Sequence, residues 1–224
     1  ERFFKIDYEK TISNPGIIDM LQGYKKIMAK EPLDSDTSDS FPFEDLDQFL
    51  IEIYPNSYRD GYLWLLTAGR RSKEYFSEYA STVLNFNWFE FYQKWDGELY
   101  FEWLRKQFLK KADIVLIDSR TGVTEMGGVC TYQLADVIVM FCAPNKQNLH
   151  GINEMANNFK KPHIRELRLD RPLDLIIIPS RVEDRAEAKL LNDFHDVFVS
   201  TFSKYIPEKL KEYQLPKGYQ INYG

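Results

Sequence analysis

Cysteine and histidine are scarce in this sequence. The 224 residues include two cysteines, Cys130 and Cys142, and three histidines, His150, His163 and His195. Neither set has the paired spacing of a zinc site or of a thiol redox motif. Both cysteines lie in or beside apolar segments, which favours free thiols in a reducing compartment. We therefore expect a cytoplasmic protein whose cysteines carry no metal or redox chemistry.

Long apolar runs and an excess of positive charge are also missing. No run approaches the length needed to cross a bilayer, and no signal peptide is visible. The net charge of −5 and the pI of about 5.4 argue against binding nucleic acid through bulk charge. We expect neither a membrane nor a nucleic acid among the partners. With 44% hydrophobic and 28% charged residues, the chain has the composition of a soluble globular domain.

Two signatures of catalysis are absent from the 224 residues. No serine lies in a G-x-S-x-G turn, so a hydrolase of that type is not indicated. No G-x-x-x-x-G-K-[ST] loop occurs either. The chain by itself therefore lacks the backbone cradle and the lysine that supply most of the phosphate affinity of nucleotide-binding proteins.

Short apolar runs that alternate with helical patterns are the strongest positive signal. Three of them, at Ile114–Ile117, Val137–Phe141 and Leu175–Ile178, are apolar throughout. Runs of this length and composition are typical of parallel strands buried on both faces. The run Tyr62–Leu66, followed by Gly69, is a fourth candidate strand.

Helical patterns lie between these runs. Residues 86–110 carry aromatic side chains at three- and four-residue steps, and Gly97 marks a possible break. Residues 183–206 have one apolar face, and residues 148–160 suit a more polar helix. The alternation predicts an α/β fold with a doubly wound, mainly parallel sheet flanked by helices. Ligands bind such sheets at the carboxyl ends of the strands.

The segment Asp118–Gly122 directly follows the first of these predicted strands. A carboxylate at the end of a parallel strand is well placed to hold a hydrated Mg²⁺. The hydroxyls of Ser119 and Thr121 are suited to orient water or touch the metal, and Gly122 allows close approach of its N–H to a phosphate oxygen. An aspartate after a strand is as often a turn former or a helix cap, and both interpretations stand at this point.

Several motifs, in order, resemble the ParA/MinD-like ATPases of the deviant Walker A family. The stretch Ala112–Gly151 reads ADIVLIDSRTGVTEMGGVCTYQLADVIVMFCAPNKQNLHG, which resembles the Walker B and second-switch region of that family. Within it, Ala135-Asp136 opens a strand that Pro144 follows. Upstream, Leu65–Gly69 resembles the family's Leu-Pro-Ala-Gly strand end, and Gly16–Leu21 resembles the segment after its second strand. The matches span about residues 1–181.

The resemblance implies an ATP-binding, ATP-hydrolysing dimerisation switch that uses Mg²⁺. Asp118 would support the metal and catalysis, and Ser119, Thr121 and Gly122 would sense the γ-phosphate. Nucleotide state would then control a homodimer and the binding of a partner protein not yet known.

Four further residues carry over from the family or depart from it. Ser180 and Arg181 follow the third strand, where the family contacts adenine; a strand-end turn with a solvated arginine is the alternative. Asn145 lies near the nucleotide or the dimer face, or else only caps a helix. Arg120 stands where the family usually has a small residue or proline. It would either stabilise charge on a transferring phosphate or form a structural ion pair.

The family's phosphate loop and first strand would precede Glu1. We therefore expect residues 1–224 to be a single nucleotide-binding domain, part of a longer chain, and to be an ATPase only where that loop is present. The alternative is a non-catalytic interaction module that retains the fold. Its partner surface would be the aromatic-rich stretch from Trp64 to Trp103, since aromatic residues are enriched at interfaces. Packing in the core is the competing use of these aromatics.

Overall fold

A computed structural model describes residues 6–29, 46–54, 61–119, 129–181 and 188–205. The chain separates into two compact units, Glu1–Val115 and Leu116–Gly224, which we describe one at a time. Helices and two small sheets make this a mixed α/β protein. None of the helices in the described ranges has the length and apolar character needed to cross a membrane. The expectation of a single nucleotide-binding domain remains a prediction.

The first unit contains five helices and one pair of strands among its described residues. In chain order these are α1 (Tyr8–Ser13), α2 (Ile17–Met28), β1 (Leu50–Tyr54), β2 (Leu63–Leu66), α3 (Phe76–Asn85), α4 (Trp88–Lys94) and α5 (Gly97–Lys111). The strand predicted at 62–66 is confirmed as β2. Its partner β1 runs antiparallel to it, with Ile51 opposite Leu65. The sequence reasoning missed β1 because Glu52 interrupts its apolar pattern.

The helical stretch predicted at 86–110 is broken where Gly97 indicated. Asp96 takes a left-handed conformation with φ 47°, and Gly97 begins α5. A Cβ on Gly97 would lie 2.6 Å from the Phe91 ring, so glycine lets α5 start directly against α4. The tight turn brings Phe91 of α4 into edge-to-face contact with Tyr100 of α5.

Aromatic side chains form the core of the first unit. Phe91, Tyr100, Phe101 and Trp103 are buried, and Tyr24 of α2 packs against both Phe91 and Tyr100. Burial raises the pKa of Tyr24 to about 12, with a smaller contribution from the Asp96 charge. Core packing, rather than a partner surface, is thus the use of these four side chains from the aromatic-rich stretch.

The prediction of a buried strand at Ile114–Ile117 is wrong for this structure. The segment has no strand conformation, Ile114 is 79% exposed and Leu116 is 92% exposed. A strand needs a neighbour for its backbone hydrogen bonds and apolar surfaces against its side chains. Among the described residues, each strand pairs with one other strand only, and neither sheet includes this segment.

The second unit is built around a parallel pair of strands. Its elements are β3 (Val137–Cys142), α6 (Lys146–Phe159), α7 (Pro162–Leu167), β4 (Asp174–Pro179) and α8 (Ala188–Phe202), with a π-helical turn at Val129–Leu134 before β3. Val137 lies opposite Asp174 and Cys142 lies opposite Pro179. Both strands were predicted as Val137–Phe141 and Leu175–Ile178 and are confirmed. The helix predicted at 148–160 is confirmed as α6. The helix predicted at 183–206 is confirmed over residues 188–202, and residues 182–187 and 206 lie outside the described ranges.

Among the described residues, helices cover one face of the β3–β4 pair. The buried face packs with α6 and α8, and its core consists of Ile138, Met140, Cys142, Ala156, Phe159, Leu175, Phe202 and Tyr205. On the opposite face Val139 and Phe141 are 47% and 63% exposed. The expectation that both strands are buried on both faces is therefore wrong in the described structure, because helices pack against only one side.

Candidate functional site

The carboxyl ends of β3 and β4 bring two groups of predicted site residues to one edge. Parallel strands point the same way, so the segments that follow them emerge together. Their junction is closed by a hydrogen bond in which the Ser180 N–H donates to the Cys142 carbonyl oxygen at 2.9 Å. Ser180 and Arg181 after β4 thus share an edge with Asn145, which follows β3.

Asn145 caps helix α6. Its side-chain oxygen accepts hydrogen bonds from the Asn148 N–H at 2.8 Å and from the Asn148 side-chain amide at 3.1 Å. The capping role proposed as the alternative is therefore confirmed. The Asn145 side chain is exposed, so capping leaves its amide nitrogen accessible at the edge.

Ser180 and Arg181 form a sharp turn after β4. Ser180 is half-buried, whereas Arg181 is exposed and has a φ of 55°. A left-handed conformation costs a residue with a Cβ on the order of 1 kcal/mol, and such residues cluster at binding sites. The turn projects the Arg181 side chain away from the sheet into solvent.

Of the predicted cluster 118–122, only Asp118 and Ser119 lie within the described residues. Asp118 and Ser119 are exposed, and neither makes a hydrogen bond or ion pair with another described residue. Arg120, Thr121 and Gly122 lie outside the described residues. Within the described ranges, no three His, Cys, Asp or Glu side chains converge into a metal site.

The two upstream motifs pack directly against each other. Gly16–Leu21 forms the start of α2, and Leu65–Gly69 runs from the end of β2. The Ile17 N–H donates to the Thr67 carbonyl and the Ile18 N–H to the Ala68 carbonyl, each at 3.0 Å. These bonds satisfy N–H groups that a helix start otherwise leaves unpaired.

Close approach at this junction depends on Gly16. A Cβ there would overlap the Thr67 carbonyl oxygen and lie 2.7 Å from the Gly69 nitrogen. Glycine is therefore required at this position by contact with the second motif rather than by its own backbone conformation.

An ion pair completes the junction. The Asp19 carboxylate accepts from the Gly16 N–H, the Arg70 N–H and the Arg70 Nε, at 2.9, 2.9 and 2.8 Å. Burial raises the pKa of Asp19, but these hydrogen bonds and the Arg70 charge lower it by more, so the pKa lies below its ordinary value of 3.8. Arg70 also stacks on the Tyr75 ring, with its guanidinium carbon 4.7 Å from the ring centre.

Arg168 is a buried side chain that the sequence reasoning missed. Only 1% of it is exposed, and its guanidinium donates to the carbonyl oxygens of Tyr132, Pro172 and Arg171 at 2.9, 2.7 and 3.2 Å. The neighbouring Arg171 donates to the carbonyls of Arg168 and Gln133. These bonds fasten the loop before β4 to the π-helical turn before β3. The repeated three-residue spacing of Arg165, Arg168 and Arg171 was the feature of the sequence that could have drawn attention to Arg168.

Comparison with known proteins finds no matching family model, no matching curated protein and no matching solved structure. The resemblance to ParA/MinD-like ATPases therefore depends on the motif residues themselves and on how the structure arranges them.

Proposed function

We propose that this chain is part of an ATP-binding, Mg²⁺-dependent dimerisation switch of the ParA/MinD type. The observation that carries the proposal is the parallel β3–β4 pair, whose carboxyl edge presents Asn145, Ser180 and Arg181 together. Nucleotides bind parallel α/β sheets at this edge. The contact between the Gly16–Leu21 and Leu65–Gly69 motifs supports the resemblance independently.

The proposed roles follow from exposure and chemistry. Ser180 and Arg181 contact the adenine base, since a half-buried hydroxyl and an exposed guanidinium can hydrogen-bond and stack on a planar ring. Asp118 supports Mg²⁺, because magnesium sites use one or two carboxylates together with substrate phosphates and water. An exposed carboxylate without a described partner fits that requirement. Of the described residues, Ser119 alone is assigned to the ATP phosphates, as a sensor of the γ-phosphate.

The proposal includes a doubly wound sheet that is larger than the two strand pairs of the described residues. Ile114 and Leu116 are apolar and exposed, as are Val139 and Phe141 of β3. A larger, helix-covered sheet would bury all four side chains. At roughly 25 cal/mol per Å² of apolar surface removed from water, that burial favours the completed sheet.

Mg²⁺-dependent ATP binding by the native protein and by the 224-residue chain tests the proposal. The decisive variant is Asp118→Asn, and Asp113→Asn is its matched control, because Asp113 is an exposed aspartate five residues upstream. We expect Asp118→Asn to weaken Mg²⁺-dependent binding or hydrolysis roughly 10- to 100-fold, with Asp113→Asn unchanged. Equal activity in the two variants, or native protein that binds no ATP, would contradict it.

A second candidate is a non-catalytic interaction module, and one observation favours it. The uncovered face of β3–β4 exposes Val137, Val139, Phe141, Ile176 and Ile178, and contiguous exposed apolar side chains are typical of interfaces. Sedimentation velocity of wild type and Phe141→Gln, with and without Mg²⁺-ATP, separates the two candidates. Association that depends on Phe141 but not on nucleotide supports the module, and association that requires Mg²⁺-ATP supports the switch.

A further inference from the structure

A cavity of about 240 Å³ lies at the opposite end of the β3–β4 pair from the proposed ATP edge. It is formed where α6 ends, α7 follows and the chain returns to β4. Phe159, Ile164 and Leu173 supply part of its apolar wall. Because β3 and β4 both begin at this end, the cavity belongs to the amino edge of the strands.

The charged side chains of this cavity are almost all basic. It is lined by one carboxylate, Asp170, and by five cationic residues: Lys160, Lys161, Arg165, Arg168 and Arg171. The whole protein has a net charge of −5, so this concentration of positive charge runs against the average of the chain. A concave basic site attracts anions more strongly than a flat one does.

The cationic residues differ in burial and in the partners of their side chains. Arg168 is buried and held by carbonyl oxygens, so its positive charge is fixed in the cavity wall. The Lys161 side chain is exposed and makes no hydrogen bond or ion pair with another described residue. Arg165 pairs with Asp170 at 2.7 Å, but both side chains are about three-quarters exposed. Such a pair is weak, and an anion of higher charge can displace the carboxylate.

The loop that carries Arg168 and Arg171 is strained. Leu169 and Asp170 are consecutive residues in left-handed conformations, with φ of 52° and 60°. Neither is glycine, so each costs on the order of 1–2 kcal/mol. The Arg171 side chain, which donates to the Arg168 carbonyl at 3.0 Å, helps to hold this turn closed. Strain of this kind is concentrated at ligand sites, where it fixes side chains before the ligand arrives.

We propose that this cavity binds a small molecule carrying a phosphate group, held by Lys161, Arg165 and Arg171 against the fixed charge of Arg168. The guanidinium fork matches the oxygen geometry of phosphate, and lysine adds a point charge. The volume is below the roughly 300–1,000 Å³ of pockets for drug-sized ligands, so the ligand is little larger than its anionic group. The site is separate from the proposed ATP edge and does not depend on it.

Isothermal titration of inorganic pyrophosphate into the full chain at low ionic strength tests the proposal. Lys161→Glu is the test variant. Lys106→Glu is the matched control, because Lys106 is an exposed lysine of α5 in the other unit. We expect Lys161→Glu to weaken binding about tenfold, since it removes one attraction and adds one repulsion. Lys106→Glu should bind like wild type, and binding should weaken as salt is added.

Three results would overturn the proposal. The first is wild-type protein that does not bind pyrophosphate, and the second is equal affinity in Lys161→Glu and Lys106→Glu. The third is binding lost in Arg181→Glu but kept in Lys161→Glu, which would place the anion at the carboxyl edge of β3–β4. A single-stranded oligonucleotide is titrated in parallel; if it binds through Lys161 where pyrophosphate does not, the phosphate belongs to a macromolecule and the small-molecule proposal is wrong.

Discussion

The Asp19 carboxylate binds both the main chain and the side chain of Arg70. Oδ2 accepts from the Arg70 N–H at 2.9 Å, and Oδ1 accepts from the Arg70 Nε at 2.8 Å. Asp19 lies in the first turn of α2, and Arg70 follows β2, so the pair joins elements about fifty residues apart in the chain. The same carboxylate caps the Gly16 N–H. Asp19 thus stabilises a helix start and a tertiary contact at once.

Replacing Asp19 by asparagine should destabilise the first unit by about 1–2 kcal/mol. Charge-assisted hydrogen bonds are the stronger class, but Arg70 is 40% exposed, and solvent reduces the gain. The midpoint of urea unfolding, followed by tryptophan fluorescence, measures the loss. Asp113→Asn, which removes an exposed carboxylate without a described partner, should leave the midpoint unchanged; an equal shift in both variants would show that the junction adds nothing.

The lowered pKa of Asp19 makes the stability of this unit depend on pH. A carboxyl group with a lower pKa in the folded state than in the unfolded state stabilises the fold above the unfolded pKa. That contribution is lost as the pH falls from about 3.8 through the folded pKa. Wild-type stability should therefore decrease more steeply than that of Asp19→Asn below about pH 4. Parallel unfolding curves for the two proteins would rule out this role of Asp19.

Two glycine-to-alanine substitutions should have opposite effects. Gly16→Ala should destabilise the protein by about 2–3 kcal/mol, because the new methyl group overlaps the Thr67 carbonyl oxygen. Gly151 lies inside α6 with open space around its Cβ position. Gly151→Ala should therefore stabilise by roughly 0.5–1 kcal/mol through helix propensity. Thermal unfolding of both variants checks the signs, and a tolerated Gly16→Ala would show that the junction relaxes easily.

Loss of the buried Arg168 guanidinium should cost about 3 kcal/mol. Arg168→Met keeps much of the side-chain volume but leaves the carbonyls of Tyr132 and Pro172 without these charged donors. Arg165→Met, at an exposed position of α7 three residues before Arg168, is the control and should change stability by less than about 1 kcal/mol. Chemical denaturation of the two variants gives the comparison. Similar losses would mean that burial of the Arg168 network adds no stability.

Local pattern was enough to locate most elements. The runs at 137–141 and 175–178 are β-branched and apolar, and both are strands because such residues fit a pleated, buried surface. The break at Gly97 was also readable, since glycine weakens a helix wherever it stands. Asn145 shows where local reasoning left two roles open: its capping bond is now observed, and its proposed contact with nucleotide is still to be tested.

The pairing of strands and the burial of side chains could not be predicted from local sequence pattern. Ile114–Ile117 is as apolar as β3, yet Leu116 is 92% exposed, because a strand forms only against a neighbour and the run itself does not specify one. The strand at Leu63–Leu66 was predicted correctly. Its antiparallel partner β1 was not predicted, because Glu52 interrupts the apolar pattern of that strand. Arg168 was one basic residue among many until folding placed it beside three carbonyl groups.

The amino-acid sequence by itself determined the α/β character, the positions of the parallel strands and the helix break at Gly97, because periodicity and propensity act over a few neighbouring residues. Only the tertiary structure decided that Asp19 meets Arg70, that one face of β3–β4 is open and that five cations surround one cavity. The first two relationships join elements distant in the chain, and the third depends on how the chain turns between α6 and β4. They depend on which surfaces exclude water from each other, and no local pattern encodes that choice.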